Sequence, residues 1–428
     1  MTEGQWSNPL PYFLSRVNID DLLSSLDKAI SMKYCTVRFS FLLLSLSLVS
    51  CSRVSSAAAE AKPSTAPDAV AHSREADDVA RFLAGMPGKQ GSPFIKLESG
   101  EEWKQHREAL DSAWQKADAE LLSGVRQFQS EELSSAPMRQ GPVFYPFAGP
   151  DSLMATQYFP HSPVYVMVAL EPAGTLPSEE QIESKDLTNY LDATRSTVAS
   201  VLGRSFFITR QMDRQFRGQV TDGLLLPILE LLVRTNNTVL GFRYIRLDEN
   251  GKIIDRTLDY HATTRYGNKG VQIEFRRESD QSIHELYYFS VNLADERLIE
   301  NKPFQEFATN LKGATTLLKA TSYMTHHKNF SLIRKIVLAE SAAVLQDDSG
   351  IPFRLFGNED WKLQLYGDYD KPYGSFSWIE QADLRSAYKL PGIKPLPMHV
   401  GYGYRRITSN LLLAKRLSIT PAAETKAQ

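Results

Sequence analysis

The residues best suited to chemistry are carboxylates that follow apolar stretches of the chain. Asp151 ends the string Phe144-Tyr145-Pro146-Phe147-Ala148-Gly149-Pro150-Asp151, and Asp347-Asp348 opens a turn that runs to Pro352. Two carboxylates about 5–10 Å apart across a cleft are what glycoside hydrolysis requires. The candidate site residues here are therefore Tyr145, Asp151, Asp347 and Asp348. The alternative is that Asp151 only caps a helix and that Asp347 and Asp348 only form a turn.

A second candidate region combines aromatic residues, carboxylates and glycines between Tyr366 and Phe376. Exposed rings with polar tips, such as Tyr366, beside a carboxylate such as Asp368 can build a surface on which sugars stack. The alternative is a well-packed turn whose tyrosines close the edge of the core.

The sequence contains no motif typical of metal, phosphate-binding or serine-hydrolase chemistry. His326-His327 is the only histidine pair, and adjacent helical side chains diverge by about 100°, so we expect a cationic helix end and no metal site. There is no Gly-x-x-x-x-Gly-Lys-Ser/Thr loop, no Gly-x-Gly-x-x-Gly after a strand and no Gly-x-Ser-x-Gly elbow. We therefore expect no cofactor. The formal net charge of −2 predicts no nucleic-acid partner.

The sequence pattern of the elements that must position these residues predicts a mixed α/β (α+β) fold. In this fold, helices cover central apolar strands, and an antiparallel β-meander joins them. Helical spacing covers 76–133, and strands are expected at 143–147 and 164–170, the second one buried on both faces. Ser178 to Gln181 matches a capping box before a helix that reaches Leu202, and Leu224 to Val233 is a further apolar run.

The second half of the chain changes period more than once. We expect a hairpin with a type I′ turn at Asn250-Gly251, followed by strands at 271–276 and 283–293. Together these strands predict a meander of about four strands. Helical spacing returns from Pro303 to Leu345. Short strands are expected at 363–366 and 398–404, with a helix between them at 380–388.

The N-terminal region contains an export pattern. An eleven-residue apolar run from Phe39 to Val49 follows Lys33 and Arg38, and the run Leu48-Val49-Ser50-Cys51 resembles a lipobox. Met32 gives a better start for such a signal than Met1 does. We therefore expect a misassigned leader at 1–31, a signal peptide at 32–50 and a flexible tether at 51–75. One large domain, or two subdomains, would fill 76–418, before a disordered tail at 419–428.

The resemblance to bacterial lipoproteins implies that Cys51 carries lipid and that Ser52 directs the chain to the outer membrane, facing the periplasm. The string that ends at Asp151 and the turn at 345–352 resemble a family of uncharacterised bacterial lipoproteins, over about 103–413. That resemblance brings no activity with it. The leading expectation is a noncatalytic binding or assembly role with an envelope glycan or protein partner. The alternative is an envelope hydrolase that uses carboxylates near Asp151 and Asp347.

Overall fold

The computed structural model of the chain describes residues 73–135, 138–183, 187–202, 223–256, 268–372, 376–403 and 409–417. The predicted leader, signal peptide, lipid-bearing Cys51, nearly all of the tether and the C-terminal tail lie outside these ranges. Within them, no helix combines the length and apolar character needed to cross a membrane.

One ten-stranded mixed sheet organises the described residues. In chain order the strands are β1 Val143–Pro146, β2 Val164–Ala169, β3 Asn237–Leu247, β4 Ile253–Asp255, β5 Lys269–Arg277, β6 Ile283–Ser290, β7 Ala314–Leu318, β8 Ser341–Gln346, β9 Trp361–Gly367 and β10 Asn410–Arg416. Their order across the sheet is β4-β3-β5-β6-β2-β1-β7-β8-β10-β9. The α/β fold class is therefore confirmed.

Parallel strands form the middle of the sheet, where β6, β2, β1, β7 and β8 pair in one direction. The predicted central strand, β2, has five of its six residues buried. Strands covered on both faces have no polar face to alternate with the apolar one, which is why Val164-Tyr165-Val166-Met167-Val168 reads as continuously apolar. Antiparallel strands complete the sheet at both sides.

Helices cover both faces of the sheet, as predicted. They are α1 Arg74–Leu83, α2 Ile95–Glu98, α3 Glu101–Ala117, α4 Ser123–Glu132, α5 Ser152–Tyr158, α6 Glu179–Glu183, α7 Leu187–Leu202, α8 Leu225–Arg234, α9 Asp295–Leu298, α10 Lys302–Thr309, α11 Ser331–Glu340 and α12 Ala382–Ala387. A π-helical segment, Asp118–Leu122, joins α3 to α4. Neighbouring residues of a strand enter opposite cores: Tyr145 belongs to the core that includes residues of α4, α5 and α8, and Phe144 to the core that includes residues of α10 and α11.

Several local predictions are confirmed. Asp151 caps α5 by accepting a hydrogen bond from Met154 N at 3.1 Å. Ser178 and Gln181 form the reciprocal capping box, because Ser178 N donates to Gln181 Oε1 at 3.0 Å and Gln181 N donates to Ser178 Oγ at 3.3 Å. Pro227 lies in the first turn of α8, where its missing N–H costs no helical hydrogen bond.

The four antiparallel strands β3 to β6 are confirmed, but they do not form the predicted meander, because β5 pairs with β3 and leaves β4 at the edge of the sheet. The turn between β3 and β4 also differs from the prediction. Only Gly251 has a positive φ, +73°, whereas a type I′ turn needs two such residues. Asp248 explains the difference, since its Oδ1 accepts hydrogen bonds from Asn250 N and Lys252 N. Its side chain closes the turn that Asn250 was expected to form.

Two predictions in the second half are wrong. The segment 303–345, predicted to be helical, contains β7 between α10 and α11 and most of β8 after α11. The strand expected at 398–404 is replaced over its described part by a 3-10 turn, Gly401–Gly403, and the last strand is β10. Five consecutive buried residues, as in β7, show neither helical nor strand periodicity, so pattern alone cannot assign them.

Candidate functional site

The chain reverses its direction across the sheet between β1 and β7. From β1 the chain continues to the neighbouring β2, whereas β7 lies on the other side of β1 and continues to β8. The loops that leave the carboxyl ends of β1 and β7 therefore diverge. In open α/β sheets such a switch point leaves a crevice in which ligands bind.

A buried ion pair spans this switch point. Lys319 follows β7 and Asp151 follows β1, and Lys319 Nζ lies 2.8 Å from Asp151 Oδ2, with side chains that are 1% and 4% exposed. The same oxygen accepts a hydrogen bond from Tyr145 OH at 2.9 Å. Desolvating two charges is costly unless each gains partners. Here the carboxylate has three donors: Tyr145, Lys319 and the amide of the helix that it caps.

Asp347 ties the loop after β7 to the loop after β8. Its Oδ2 accepts from Ala320 N at 2.8 Å, and its Oδ1 accepts from Ser349 N at 2.9 Å and from Ser349 Oγ. The carboxyl is fully enclosed, and this burial, together with the neighbouring charge of Asp348, raises its pKa to about 6. A carboxyl group that titrates near neutrality can both donate and accept a proton.

Asp348 points to a different set of partners. Tyr323 OH and Asn410 Nδ2 donate to its two carboxylate oxygens, and burial raises its pKa above the ordinary value. Asp347, Asp348 and Asn410 line a cavity of about 10 Å³ that Tyr388 and Gln381 also border. That volume has room for about one water molecule.

The loop after β7 is held in an uncommon backbone conformation. Ala320, Ser322 and Tyr323 all have positive φ, between +51° and +55°, and such residues are frequent at functional sites because surrounding contacts must hold them. Tyr402 supplies some of these contacts: its hydroxyl donates to Ala320 O at 2.8 Å and accepts from Ser322 N at 2.9 Å. Gly401 lies against Asp347, where an added Cβ would be 2.5 Å from Oδ2.

Tyr158 contributes a buried hydroxyl to the same region. The hydroxyl has no hydrogen-bond partner within the part of the chain that the structure describes, and Tyr158 is 0% exposed. Burial and then the charges of Asp151 and Asp347 raise the pKa of this phenol. A buried hydroxyl without a partner costs about 1–3 kcal/mol, so this hydroxyl has unused hydrogen-bonding capacity beside the two carboxylates.

The structure brings together four of the six residues proposed from the sequence. Tyr145 and Asp151 meet at the ion pair, and Asp347 and Asp348 lie beyond the adjacent strand. Tyr366 does not join them, since its hydroxyl donates to Glu132 Oε2 at 2.6 Å. Asp368 is exposed after β9. Tyr366 and Tyr369 are 1% and 3% exposed, so neither ring offers a face on which a sugar can stack. Residues 373–375 of the same segment lie outside the described residues.

The histidine pair does not end a helix, contrary to the prediction. His326 closes a short 3-10 turn and His327 is extended. The His326 ring lies 5.2 Å from that of Tyr323, edge to face, and burial lowers its pKa to about 4. Across the described ranges, no three His, Cys, Asp or Glu side chains are grouped closely enough to hold a metal ion.

Sequence reasoning missed Lys319, Tyr158, Tyr323 and Asn410. The sequence did contain a signal for Lys319, because this residue directly follows the apolar pair Leu317-Leu318. A cation that follows a buried strand would lie at the same edge of the sheet as the candidate site. The helical interpretation of 303–345 concealed it. Tyr158 gave no signal, since a tyrosine in a buried helix is usually core.

Comparisons with known proteins give no relative. No family model, no curated protein and no solved structure matches the chain.

Proposed function

We propose that this protein is an envelope hydrolase whose acid–base site lies at the switch point between β1 and β7. The observation that carries the proposal is the position of Asp347, a buried carboxyl whose pKa is raised to about 6. It accepts a hydrogen bond from the amide of Ala320, the residue that follows Lys319 of the Lys319–Asp151 pair. Perturbed carboxyls in a crevice are typical of catalytic sites. The convergence of Asp151, Asp347 and Asp348 favours this function over a surface of exposed rings.

Each group has a distinct role in the proposed reaction. Asp347 exchanges the proton through a water in the cavity that it lines, because its titration near neutrality suits general acid–base catalysis. Lys319 stabilises negative charge that develops on the substrate, since a preorganised cation in a dry site acts strongly. Asp151 is a positioning residue that holds the ammonium group through the 2.8 Å contact. Glycan and peptide strands of the cell wall are the proposed substrates.

The test is product release from isolated cell-wall sacculi, measured by chromatography and mass spectrometry with the full chain. We expect soluble fragments from the wild type, and at least about a 100-fold lower rate from Asp347→Asn, the usual contribution of general acid–base catalysis. Asp368→Asn is the matched control, because Asp368 is exposed at the same edge of the sheet. Full activity in folded Asp347→Asn would overturn the assignment.

A noncatalytic binding role is the second candidate. What favours it is that every carboxylate oxygen of Asp347 and Asp348 already accepts a hydrogen bond from the chain. Such a cluster can serve to fix loops for binding. Cosedimentation with the sacculi without any product release, unchanged in Asp347→Asn, would select this function.

The envelope location is a proposal supported by the sequence signal that ends at Cys51. We expect the wild type in the membrane fraction at the mass of the cleaved, lipid-bearing chain, and Cys51→Ala without lipid and at the larger mass of the uncleaved chain. Equal membrane association and equal mass for the two proteins would exclude a lipid anchor at this position.

A further inference from the structure

A second group of reactive side chains lies at the opposite edge of the sheet, in the turn from β5 to β6. Ser282 Oγ donates to Asp280 Oδ1 at 2.5 Å and also lies 2.6 Å from His284 Nε2. His284 lies on β6, directly after the turn, and is 3% exposed. A serine hydroxyl within hydrogen-bond reach of an imidazole is the basic requirement for an activated serine nucleophile.

The imidazole is oriented so that it can act as a base. His284 Nδ1 lies 2.7 Å from the carbonyl oxygen of Ser162, and a carbonyl only accepts hydrogen bonds. Nδ1 must therefore carry the hydrogen. In the neutral ring the Nε2 lone pair accepts from Arg277 Nη2 and also faces Ser282 Oγ, whose proton it takes once the hydroxyl turns away from Asp280. Burial lowers the pKa of His284, which favours the neutral ring at pH 7. Stacking on Phe275, with ring centroids 5.3 Å apart, fixes the ring plane.

A guanidinium group stands beside this pair. Arg277 Nη2 lies 3.1 Å from His284 Nε2, and Arg277 Nη1 lies 3.2 Å from Asp280 Oδ2 and 3.3 Å from His161 Nδ1. Asp280 is 41% exposed and Arg277 is 14% exposed, so the group opens to solvent. A fixed cation next to a nucleophile can stabilise the oxyanion that forms when an ester carbonyl is attacked.

We propose that Ser282 is a nucleophilic serine, with His284 as its general base, in a second site that accepts small esters of short carboxylic acids. Ser282 Oγ adds to the ester carbonyl carbon while its proton passes to His284 Nε2. The tetrahedral adduct then breaks its bond to the alcohol, which leaves with that proton. Water repeats the sequence on the acyl-serine, releases the acid and restores both groups.

A purely structural role predicts something different. Asp280 Oδ1 also accepts from Ser282 N at 3.1 Å, a contact that is typical of a turn closed by an aspartate side chain. If closing the turn were the only role of Ser282, its hydroxyl would react no faster than any surface serine.

The test is covalent labelling of the full chain with a fluorophosphonate probe, followed by peptide mapping, together with turnover of p-nitrophenyl acetate. We expect one adduct, on Ser282, and no adduct in Ser282→Ala. His284→Gln should label at least about 100-fold more slowly, the effect of losing a general base. Ser279→Ala, which removes another serine of the same turn, should label at the wild-type rate.

Mapping the wild type needs no variant, so it decides the question even if Ser282→Ala does not fold. An unlabelled Ser282 in folded wild-type protein, or the same labelling rate in His284→Gln, would overturn the proposal.

Discussion

Glu230 offers a quantitative test of the electrostatics of the core. It lies in the middle of the apolar helix α8, is 3% exposed, and its Oε1 has no hydrogen-bond partner among the described residues. Burial raises its pKa from 4.5 to about 8, and the charge of Arg234 opposes only part of that shift. The folded protein therefore keeps a proton on Glu230 at pH 7, whereas the unfolded chain loses it.

The sign of the pH dependence follows from proton binding. Between pH 4.5 and pH 8 the folded state binds more protons at Glu230 than the unfolded state, so the free energy of unfolding falls as pH rises. With pKa values of 4.5 for the unfolded chain and about 8 for the folded protein, ionisation of Glu230 lowers the free energy of unfolding relative to strongly acidic pH. The reduction is about 1 kcal/mol at pH 5 and about 4 kcal/mol at pH 8. Glu230→Gln keeps the shape and removes the ionisation. Its advantage over wild type should therefore grow by about 3 kcal/mol from pH 5 to pH 8.

The assay is urea unfolding of wild type and Glu230→Gln at pH 5, 6, 7 and 8, with the midpoint and slope fitted at each pH. Groups that titrate in both proteins cancel in the difference. Glu108→Gln is the control, because Glu108 is exposed on α3 and its difference should stay within about 0.5 kcal/mol at every pH. A Glu230→Gln advantage that changes by less than about 1 kcal/mol over this range would refute the argument.

Further predictions concern the switch-point site and the buried hydroxyl of Tyr165, and thermal or urea unfolding checks each of them. Lys319→Met should destabilise the fold by about 3–5 kcal/mol, because Asp151 keeps a buried charge without its cation; replacing both residues by apolar ones should restore much of the loss. Tyr158→Phe should leave stability unchanged or raise it, because the hydroxyl it removes has no partner among the described residues. Tyr165→Phe should cost about 1 kcal/mol, because it removes a 2.7 Å hydrogen bond. Gly401→Ala should destabilise by about 1–3 kcal/mol, because φ is +67° and the new Cβ would meet a carboxylate oxygen at 2.5 Å. Wild-type stability in Lys319→Met or Gly401→Ala would contradict the described packing of this edge.

The sequence predicted those elements whose local signals agree with their environment. Asp151, the capping box at Ser178 and the alternating strand β5 were all located, because a cap needs only its own residues and a one-sided strand shows its period. The sheet order was not predicted, since nothing local specifies that β7 inserts beside β1 rather than beside β6.

The candidate site was only half predictable for the same reason. Asp151 and Asp347 stand out by residue type and by their turns, but Lys319 matters because two loops from distant parts of the chain meet. Assigning β7 correctly would have placed Lys319 at a strand end. The contact between Lys319 and Asp151 would still have required the order of the strands.

The pairing of β1 with β7 also constrains how the protein can be made. Residues 143–146 gain their second neighbour only when residues 314–318 are available, so a ribosome must add roughly 170 further residues before that flank of β1 is covered. Until then β1 exposes unsatisfied amide and carbonyl groups, and such exposed flanks promote aggregation. Contacts so distant along the chain also form slowly. The central part of this sheet is therefore a late product of folding, and the period before β7 joins it is when the nascent chain most needs a chaperone.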